Sequence, residues 1–322
     1  MALSTGGIAQ FVPGSVRIVD YDSTNNNVLI RGSSAFGTTV DGTSTMFTMA
    51  NMISAIQADA NFSELPASIQ TNLNSTTPAV IDFCLIGFGS HKDEKLVTSE
   101  VQYFAPNAAI PDGTPPATAN YYPYYINSTT GADSPGVVAY WPVQSFGVSQ
   151  AICSAGDTWG TGIYPDLSIL STCQGQNGWN FAGLVPAVRA ALTNQISALP
   201  SGGNGAFPSG VTTIQNSIIY VHCDSGVNRT GAVIASYLMQ YGSNLTALGI
   251  ASSPAAPYPL ATAQVAANLA PPSNDTSPAG GNDLIVAIAY CNYVNCTTTP
   301  KTANYALASA AVAAACPYCP SN

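Results

Sequence analysis

The sequence predicts an α/β fold, with a mainly parallel central sheet flanked by helices. Three observations predict it. Apolar runs of strand length alternate with segments of helical periodicity between residues 15 and 241. The run at 79–87 is apolar at almost every position, which is typical of a strand covered on both faces. Another apolar run, at 214–221, passes through a short loop into a helical segment, as strand–helix units of parallel sheets do.

The individual elements follow in chain order. Strands are expected at 15–21 and 27–31, on either side of an Asp/Asn-rich turn at 22–26. Apolar residues at helical spacing predict a helix over 46–58. Strands are then expected at 79–87, 96–104 and 137–143, before a Gly/Ser/Gln-rich loop over 144–178. A helix over 181–199, with one apolar face, leads to the strand at 214–221 and the helix at 230–241.

We expect residues 1–255 to form the α/β domain and residues 256–322 to form an Ala/Pro-rich helical continuation packed on it. Helical segments in this continuation are expected at 261–269, 283–290 and 303–315. Six of the eight cysteines can form three disulfides in an oxidising compartment: Cys153, Cys173, Cys291, Cys296, Cys316 and Cys319. Their spacing matches common zinc patterns poorly, so no metal or cofactor is expected. Cys84 lies in an apolar run and is expected to be a buried thiol.

Charged residues are scarce in this chain. Asp, Glu, Lys and Arg make up 7% of it, against about 25% in typical soluble domains. The net charge of -9 and the lack of Lys/Arg clusters argue against nucleic acid and anionic membranes as partners. No apolar run reaches the roughly 18 residues of a membrane span. A surface of uncharged polar residues has little charge repulsion, which favours self-assembly or a coat of glycans.

Seven Asn-x-Ser/Thr sequons accompany the low charge. Six are candidate sites for N-linked glycans: Asn61, Asn74, Asn127, Asn244, Asn274 and Asn295. The seventh begins at Asn228, inside the motif described next, where a glycan would block the pocket. Sequons and cysteines together predict an extracellular or secretory-pathway location. Residues 1–7 lack the basic start and apolar core of a secretory signal.

The segment that carries chemistry has His222-Cys223, then Arg229 after five residues, then Thr230 and a glycine. It joins an apolar strand to an apolar helix, so loop N–H groups and the positive end of the helix dipole converge on one spot. Arg229 adds a planar fork that fits two phosphate oxygens. The same field is expected to lower the pKa of the Cys223 thiol and make it a nucleophile. The expected phosphate-binding residues are Ser225, Gly226, Val227, Asn228 and Arg229.

This segment resembles the phosphate loop of the protein tyrosine and dual-specificity phosphatase superfamily. The resemblance implies that Cys223 attacks phosphorus to form a phosphocysteine, that His222 positions the loop, and that Thr230 assists hydrolysis of the intermediate. It implies no metal and no cofactor. Weaker similarity extends upstream: residues 27–34 look like the family's opening strand and Arg-Gly/Ser turn, and residues 79–83 look like its VIDL strand. Insertions relative to the family order are expected at 106–132, 144–178 and 200–210.

The resemblance also implies an Asp general acid before the cysteine. No Asp or Glu lies between Asp166 and Cys223. The candidates are therefore Asp166 and Asp157, both in the expanded loop, and we favour Asp166. Asp224 directly follows the nucleophile, where its charge would oppose an incoming phosphate unless its side chain points away.

Two functions are consistent with these observations. The first is a cysteine-dependent phosphatase of a phosphomonoester. The second is a glycosylated extracellular subunit that self-assembles into a fibre or surface layer and keeps a phosphatase-like fold with little or no activity. The intact loop motif favours the first, and the depleted charge and the sequons favour the second.

Overall fold

The computed structural model describes residues 13–34, 49–75, 78–86, 97, 120–127, 133–143, 181–201 and 213–246. They form a six-stranded sheet with helices, which confirms the α/β prediction. The strands are β1 (Arg17–Asp22), β2 (Asn27–Ser33), β3 (Ala79–Cys84), β4 (Asn120–Asn127), β5 (Asp133–Tyr140) and β6 (Ser217–Cys223). The α-helices are α1 (Met49–Gln57), α2 (Ala67–Ser75), α3 (Phe181–Leu192) and α4 (Asn228–Tyr241).

The strand order in the sheet is β1-β2-β6-β3-β5-β4. The inner pairs β2–β6, β6–β3 and β3–β5 are parallel, and the outer pairs β1–β2 and β5–β4 are antiparallel. The sheet is therefore mixed but mostly parallel. The last of the described strands, β6, is inserted between β2 and β3, so the carboxyl ends of the four parallel strands meet at one edge. In open α/β sheets, this edge is where ligand sites form.

The central strands are covered on both faces. Every residue of β2 and β6 is buried, as is every residue of β3 after its first. Such strands carry apolar runs without alternation, which explains why they were recognisable in the sequence. Helices α3 and α4 pack on each other and over β2 and β6. The apolar core therefore holds β6 rigidly up to the point where it ends at Cys223.

Asn27 links three parts of the chain at the opposite edge of the sheet. Its fully buried side chain donates to the carbonyls of Leu192 and Ile214 at 2.8 and 2.7 Å. Its Oδ1 accepts the Ser217 N–H at 3.0 Å. A single amide thereby joins the start of β2, the end of α3 and the start of β6, which aligns β2 and β6 for the pairing that ends at the loop.

Several element boundaries differ from those predicted. The strand expected at 137–143 is β5, which ends at Tyr140, and the helix expected over 181–199 ends at Leu192, before Asn194 takes the left-handed backbone conformation (φ 58°). The strand expected at 96–104 is wrong at Val97, its only described residue, which has a helical backbone. Helix α2 was not predicted. Strand β4 lies within the stretch interpreted as an insertion, and Pro123 in it is tolerated because β4 is an edge strand.

The described residues omit 144–180 and stop at 246, so the disulfide candidates, the helical continuation and the domain boundary at 255 lie outside them. Cys84 and Cys223 are described, and both are buried, which confirms the predicted burial of Cys84. Within the described ranges no helix is long and apolar enough to cross a membrane.

A buried polar cluster joins β1 to α3 and α4. The Asp20 carboxylate, 1% exposed, accepts hydrogen bonds from the Tyr237 hydroxyl at 2.6 Å and the Asn244 N–H at 2.7 Å. Arg189 approaches the same carboxylate at 3.1 Å and also donates to the Tyr237 hydroxyl at 2.9 Å. Burial raises the pKa of Asp20, and these partners oppose that rise.

Replacing Asp20 by Ala should destabilise the fold, because Tyr237, Asn244 and Arg189 all lose their common acceptor. We expect the free energy of unfolding to fall by about 2–4 kcal/mol. This is less than for a fully buried ion pair, because Arg189 can still reach water. Urea unfolding of Asp20→Ala beside Asp22→Ala measures the effect. Asp22 accepts hydrogen bonds from nearby Asn25, so its replacement should lower the free energy of unfolding much less. Equal midpoints for the two variants would contradict this account of the cluster.

Candidate phosphate-binding site

The predicted motif lies at the carboxyl edge of the sheet. Cys223 is the last residue of β6, residues 224–227 form the loop, and α4 begins at Asn228. Because β6 is flanked by β2 and β3, the loop can be held from both sides. The Ser34 N–H, just after β2, donates to the Asp224 carbonyl at 2.9 Å. The Leu85 N–H, just after β3, donates to the His222 carbonyl at 2.9 Å.

A third contact holds the middle of the loop. The Nη2 of Arg31, on β2, donates a short hydrogen bond to the Gly226 carbonyl. In a planar peptide the N–H points opposite to the carbonyl. Fixing the carbonyls of His222, Asp224 and Gly226 therefore turns the N–H groups of Cys223, Ser225 and Val227 to the opposite side, where the Val227 N–H meets the Ser225 hydroxyl at 3.4 Å. The three bonds fix the path of the loop between β2 and β3.

Gly226 allows the loop backbone to pass close to the end of β2. Its φ is 75°, in the left-handed region that disfavours side chains. A Cβ there would lie 2.5 Å from the Gly32 carbonyl oxygen and 2.6 Å from the Ser33 nitrogen. On the partner strand, a Cβ on Gly32 would lie 2.2 Å from the Tyr220 hydroxyl oxygen. The two glycines allow the loop and the end of β2 to approach in direct backbone contact.

The Cys223 sulfur lies at the focus of the loop. Its residue is 1% exposed, and this burial would by itself raise the pKa of the thiol. The positive charge of Arg229, the Thr230 hydroxyl and the N–H groups of Thr230 and Gly226 act in the other direction and outweigh burial. The pKa of Cys223 is therefore lowered, as the sequence predicted for a nucleophilic thiolate.

Arg229 and Thr230 occupy the first turn of α4. Arg229 is partly buried, and its Nη1 lies 3.5 Å from the Leu85 carbonyl, at the end of β3. Its guanidinium thus lies over the carboxyl edge of the sheet while it acts on the thiolate. Thr230 is fully buried, and its hydroxyl helps to lower the pKa of Cys223 but has no hydrogen-bond partner among the described residues. Both residues thus lie at the start of the helix that follows the loop.

His222 points to the other face of the sheet, where it meets Asp82. The Nε2 of His222 lies 3.1 Å from Oδ1 of Asp82, and both side chains are fully buried. The Nδ1 of His222 lies 3.2 Å from the Cys223 carbonyl oxygen. The Tyr220 ring stacks on the imidazole with centroids 5.3 Å apart. His222 is therefore held rigidly at the base of the loop.

The remaining predicted residues are placed less completely. Ser225 is exposed at the loop tip, and its hydroxyl accepts the Val227 N–H at 3.4 Å. Val227 is buried, and Asn228 is the first residue of α4. The general-acid candidates, Asp166 and Asp157, lie outside the described residues.

The sequons fall on different parts of the fold. The side chain of Asn74 is exposed, and Asn61 is half-buried. Asn244 is exposed, although its side-chain amide donates to the Tyr21 carbonyl at 2.7 Å. Asn127 ends β4, and Asn274 and Asn295 lie beyond the described residues. No group of three His, Cys, Asp or Glu residues that could hold a metal ion occurs within the described ranges.

Sequence reasoning missed the contacts that Arg31 and Asp82 make with the loop. Both are charged residues within strands whose residues are almost all buried. A charged residue in such a strand needs a compensating partner, because its desolvation is costly. That signal was present in the sequence, but the identity of the partner depends on the insertion of β6 between β2 and β3.

The comparisons give no relatives. The chain matches no family model, no curated protein and no solved structure. Arguments about function therefore rest on the motif and on the geometry of the loop.

The thiol of Cys223 should ionise at a lower pH than an ordinary cysteine, for which the pKa is about 8.5. The ultraviolet absorbance of thiolate, recorded against pH with a Cys223→Ser protein subtracted, isolates this group from the other cysteines. Absorbance should rise with pH to a midpoint below that value. In Arg229→Met the main cation is lost, so the midpoint should move upward by about one to two pH units. An unchanged midpoint in Arg229→Met would contradict the arrangement.

Substituting Gly226 by Ala should disrupt the loop, because Ala pays about 1–2 kcal/mol for the left-handed conformation and also contacts β2 too closely. We expect the Cys223 midpoint to rise as the Gly226 N–H moves away from the sulfur. Gly14→Ala is the matched control, since a Cβ at Gly14 meets no atom within 4 Å. If Gly226→Ala behaves like Gly14→Ala in both urea unfolding and thiol titration, the loop does not depend on this glycine.

Proposed function

We propose that this protein is a cysteine-dependent phosphatase with a fold of the dual-specificity type, and that it hydrolyses a phosphomonoester through a phosphocysteine intermediate. One observation carries the proposal: the Cys223 sulfur is faced by the N–H groups of Gly226 and Thr230, by the Thr230 hydroxyl and by the charge of Arg229. A phosphoryl group attached to that sulfur would meet the same donors. A buried structural cysteine would need none of them.

The first chemical step uses the thiolate as nucleophile. The Cys223 sulfur attacks phosphorus, an S–P bond forms, and the ester P–O bond breaks with its electrons on the leaving oxygen. Arg229 and the N–H groups that face the sulfur stabilise the charge on the equatorial oxygens. The leaving oxygen takes a proton from a general acid, for which Asp166 and Asp157 are the candidates.

The second step returns the enzyme to its starting state. Water attacks phosphorus and gives one proton to the carboxylate that served as the general acid, the S–P bond breaks with its electrons on sulfur, inorganic phosphate leaves and the thiolate reforms. The buried Thr230 hydroxyl helps to lower the pKa of Cys223 and has no other hydrogen-bond partner among the described residues, so it can stabilise the thiolate as it leaves. The scarcity of Lys and Arg disfavours RNA and inositol polyphosphates as substrates, because such polyanions need extended basic surfaces.

A second proposal keeps the fold and gives it an extracellular structural role. In it, the chain is a glycosylated secreted subunit that self-assembles, with weak or absent catalysis. Its support is the 7% content of charged residues together with the sequons, of which Asn74 and Asn244 lie at exposed positions. Glycan mass on the purified chain and its size in solution test this role. An unglycosylated monomer would contradict it.

Hydrolysis of a small aryl phosphate tests the first proposal, because a small substrate avoids the question of specificity. The wild-type protein should release phosphate, and Cys223→Ser should lower kcat by roughly 10³-fold or more. Cys84→Ser is the matched control. Cys84 is also a buried cysteine, but it ends β3 rather than β6, so its loss should leave turnover nearly unchanged.

Acid quenching during turnover should trap phosphate on the peptide that contains Cys223. Absence of turnover in a folded, reduced protein would refute the phosphatase proposal and leave the structural role. Turnover that persists in Cys223→Ser would show that some other group is the nucleophile.

A further inference from the structure

Arg31 lies behind the loop, on the same face of the sheet as the thiol. Arg31 pairs with Val221 in the parallel β2–β6 ladder, and Ser33 pairs with Cys223 two residues later. Since side chains alternate along a strand, Arg31 and Cys223 project to the same face. Arg31 is only 3% exposed, although its strand neighbours are apolar.

The hydrogen bonds of Arg31 do not account for its burial. Nη2 donates to the Gly226 carbonyl, but Nε and Nη1 are buried without a hydrogen-bond partner among the described residues. A buried guanidinium with two unused donors is costly unless an opposite charge lies close by. The hydrogen bonds of Arg31 therefore do not offset the cost of burying its charge, and a nearby anion would.

The Cys223 thiolate is an anion on the same face of the sheet as Arg31. Burial lowers the pKa of Arg31 to about 10, and the negative charge of Cys223 acts against this fall. Arg17, on the adjacent strand β1, pushes the pKa of Arg31 down further. The guanidinium nevertheless remains protonated at neutral pH, so it keeps a positive charge on the face of the sheet that carries the thiol.

Other charged groups lie around the thiolate. Arg229 approaches it from α4, while Asp224 follows it in the loop. Asp82 and His222 pair with each other on the opposite face of the sheet. Arg31 is thus the charged group that reaches the thiolate from β2.

We propose that Arg31 is a second positioning residue of the phosphate loop: it holds the Gly226 carbonyl outward and, with Arg229, supplies a buried positive charge that keeps Cys223 as a thiolate. The inference rests on the proposed function, because it concerns the same nucleophile. It predicts a role in ionisation of the thiol, which can be measured without turnover.

The test separates charge from hydrogen bonding. Arg31→Gln can still donate to the Gly226 carbonyl but has no charge, Arg31→Met has neither, and Arg31→Lys keeps the charge. The Cys223 midpoint, measured by thiolate absorbance with Cys223→Ser in each background subtracted, should rise by about one pH unit in Arg31→Gln and further in Arg31→Met. Arg31→Lys should restore most of the difference.

Arg17→Gln is the control, because Arg17 lies on β1, partly exposed and paired with Asp59 at 3.7 Å. It should leave the midpoint unchanged. A folded Arg31→Gln protein with the wild-type midpoint would overturn the inference. Loss of folding in both neutral variants would overturn it as well, since Arg31 would then serve the fold and not the thiolate.

The outcomes also separate this inference from the proposed function. A wild-type midpoint at the value of an ordinary thiol, unaffected by Arg229→Met, would mean that the phosphatase site itself is wrongly assigned. A low wild-type midpoint that responds to Arg229→Met but not to Arg31→Gln would refute the role of Arg31 alone.

Discussion

The outward direction of three loop carbonyls is the constraint on which the site depends. The carbonyls of His222, Asp224 and Gly226 are bonded to the ends of β3 and β2 and to Arg31, respectively. These three bonds form a clamp that fixes the path of the loop between β2 and β3. Arg229 lowers the pKa of Cys223 most, with smaller contributions from Thr230 and from the Gly226 N–H. Without these groups, burial of the thiol would favour its neutral form.

The clamp in turn depends on strand order. Because β6 lies between β2 and β3, both sides of the loop meet the end of a strand that is buried in the core. The parallel registers also place the charged side chains on opposite faces of the sheet. Arg31 lies on one face with Cys223, while Asp82 lies on the other with His222. The carboxylate is therefore kept from pairing with the cation that the thiolate needs.

The features predicted correctly from the sequence are those that local residue patterns determine. The α/β class, the buried thiol of Cys84 and the strand, loop and helix around Cys223 all follow from apolar periodicity and from the spacing of a few residues. Long-range partners were not predictable in this way. The pairing of Arg31 with Gly226 spans most of the chain, and it exists only because β6 lies beside β2. Strand β4 was missed because its Tyr-rich sequence, with a proline, is stabilised by edge pairing with β5 and not by an apolar run.

The use of arginine in so uncharged a chain is itself an argument about function. The chain has four arginines. Arg17 and Arg189 pair with Asp59 and Asp20, whereas Arg31 and Arg229 have no carboxylate partner in the described ion pairs and both interact with Cys223. Two guanidinium groups facing one thiolate leave an excess of about one positive charge. Burial of this excess positive charge is unfavourable in the free protein. The same charge would stabilise a doubly charged phosphate group bound in the loop. A purely structural cysteine would not require such a field, so the placement of these two arginines supports a site that binds an anion at Cys223.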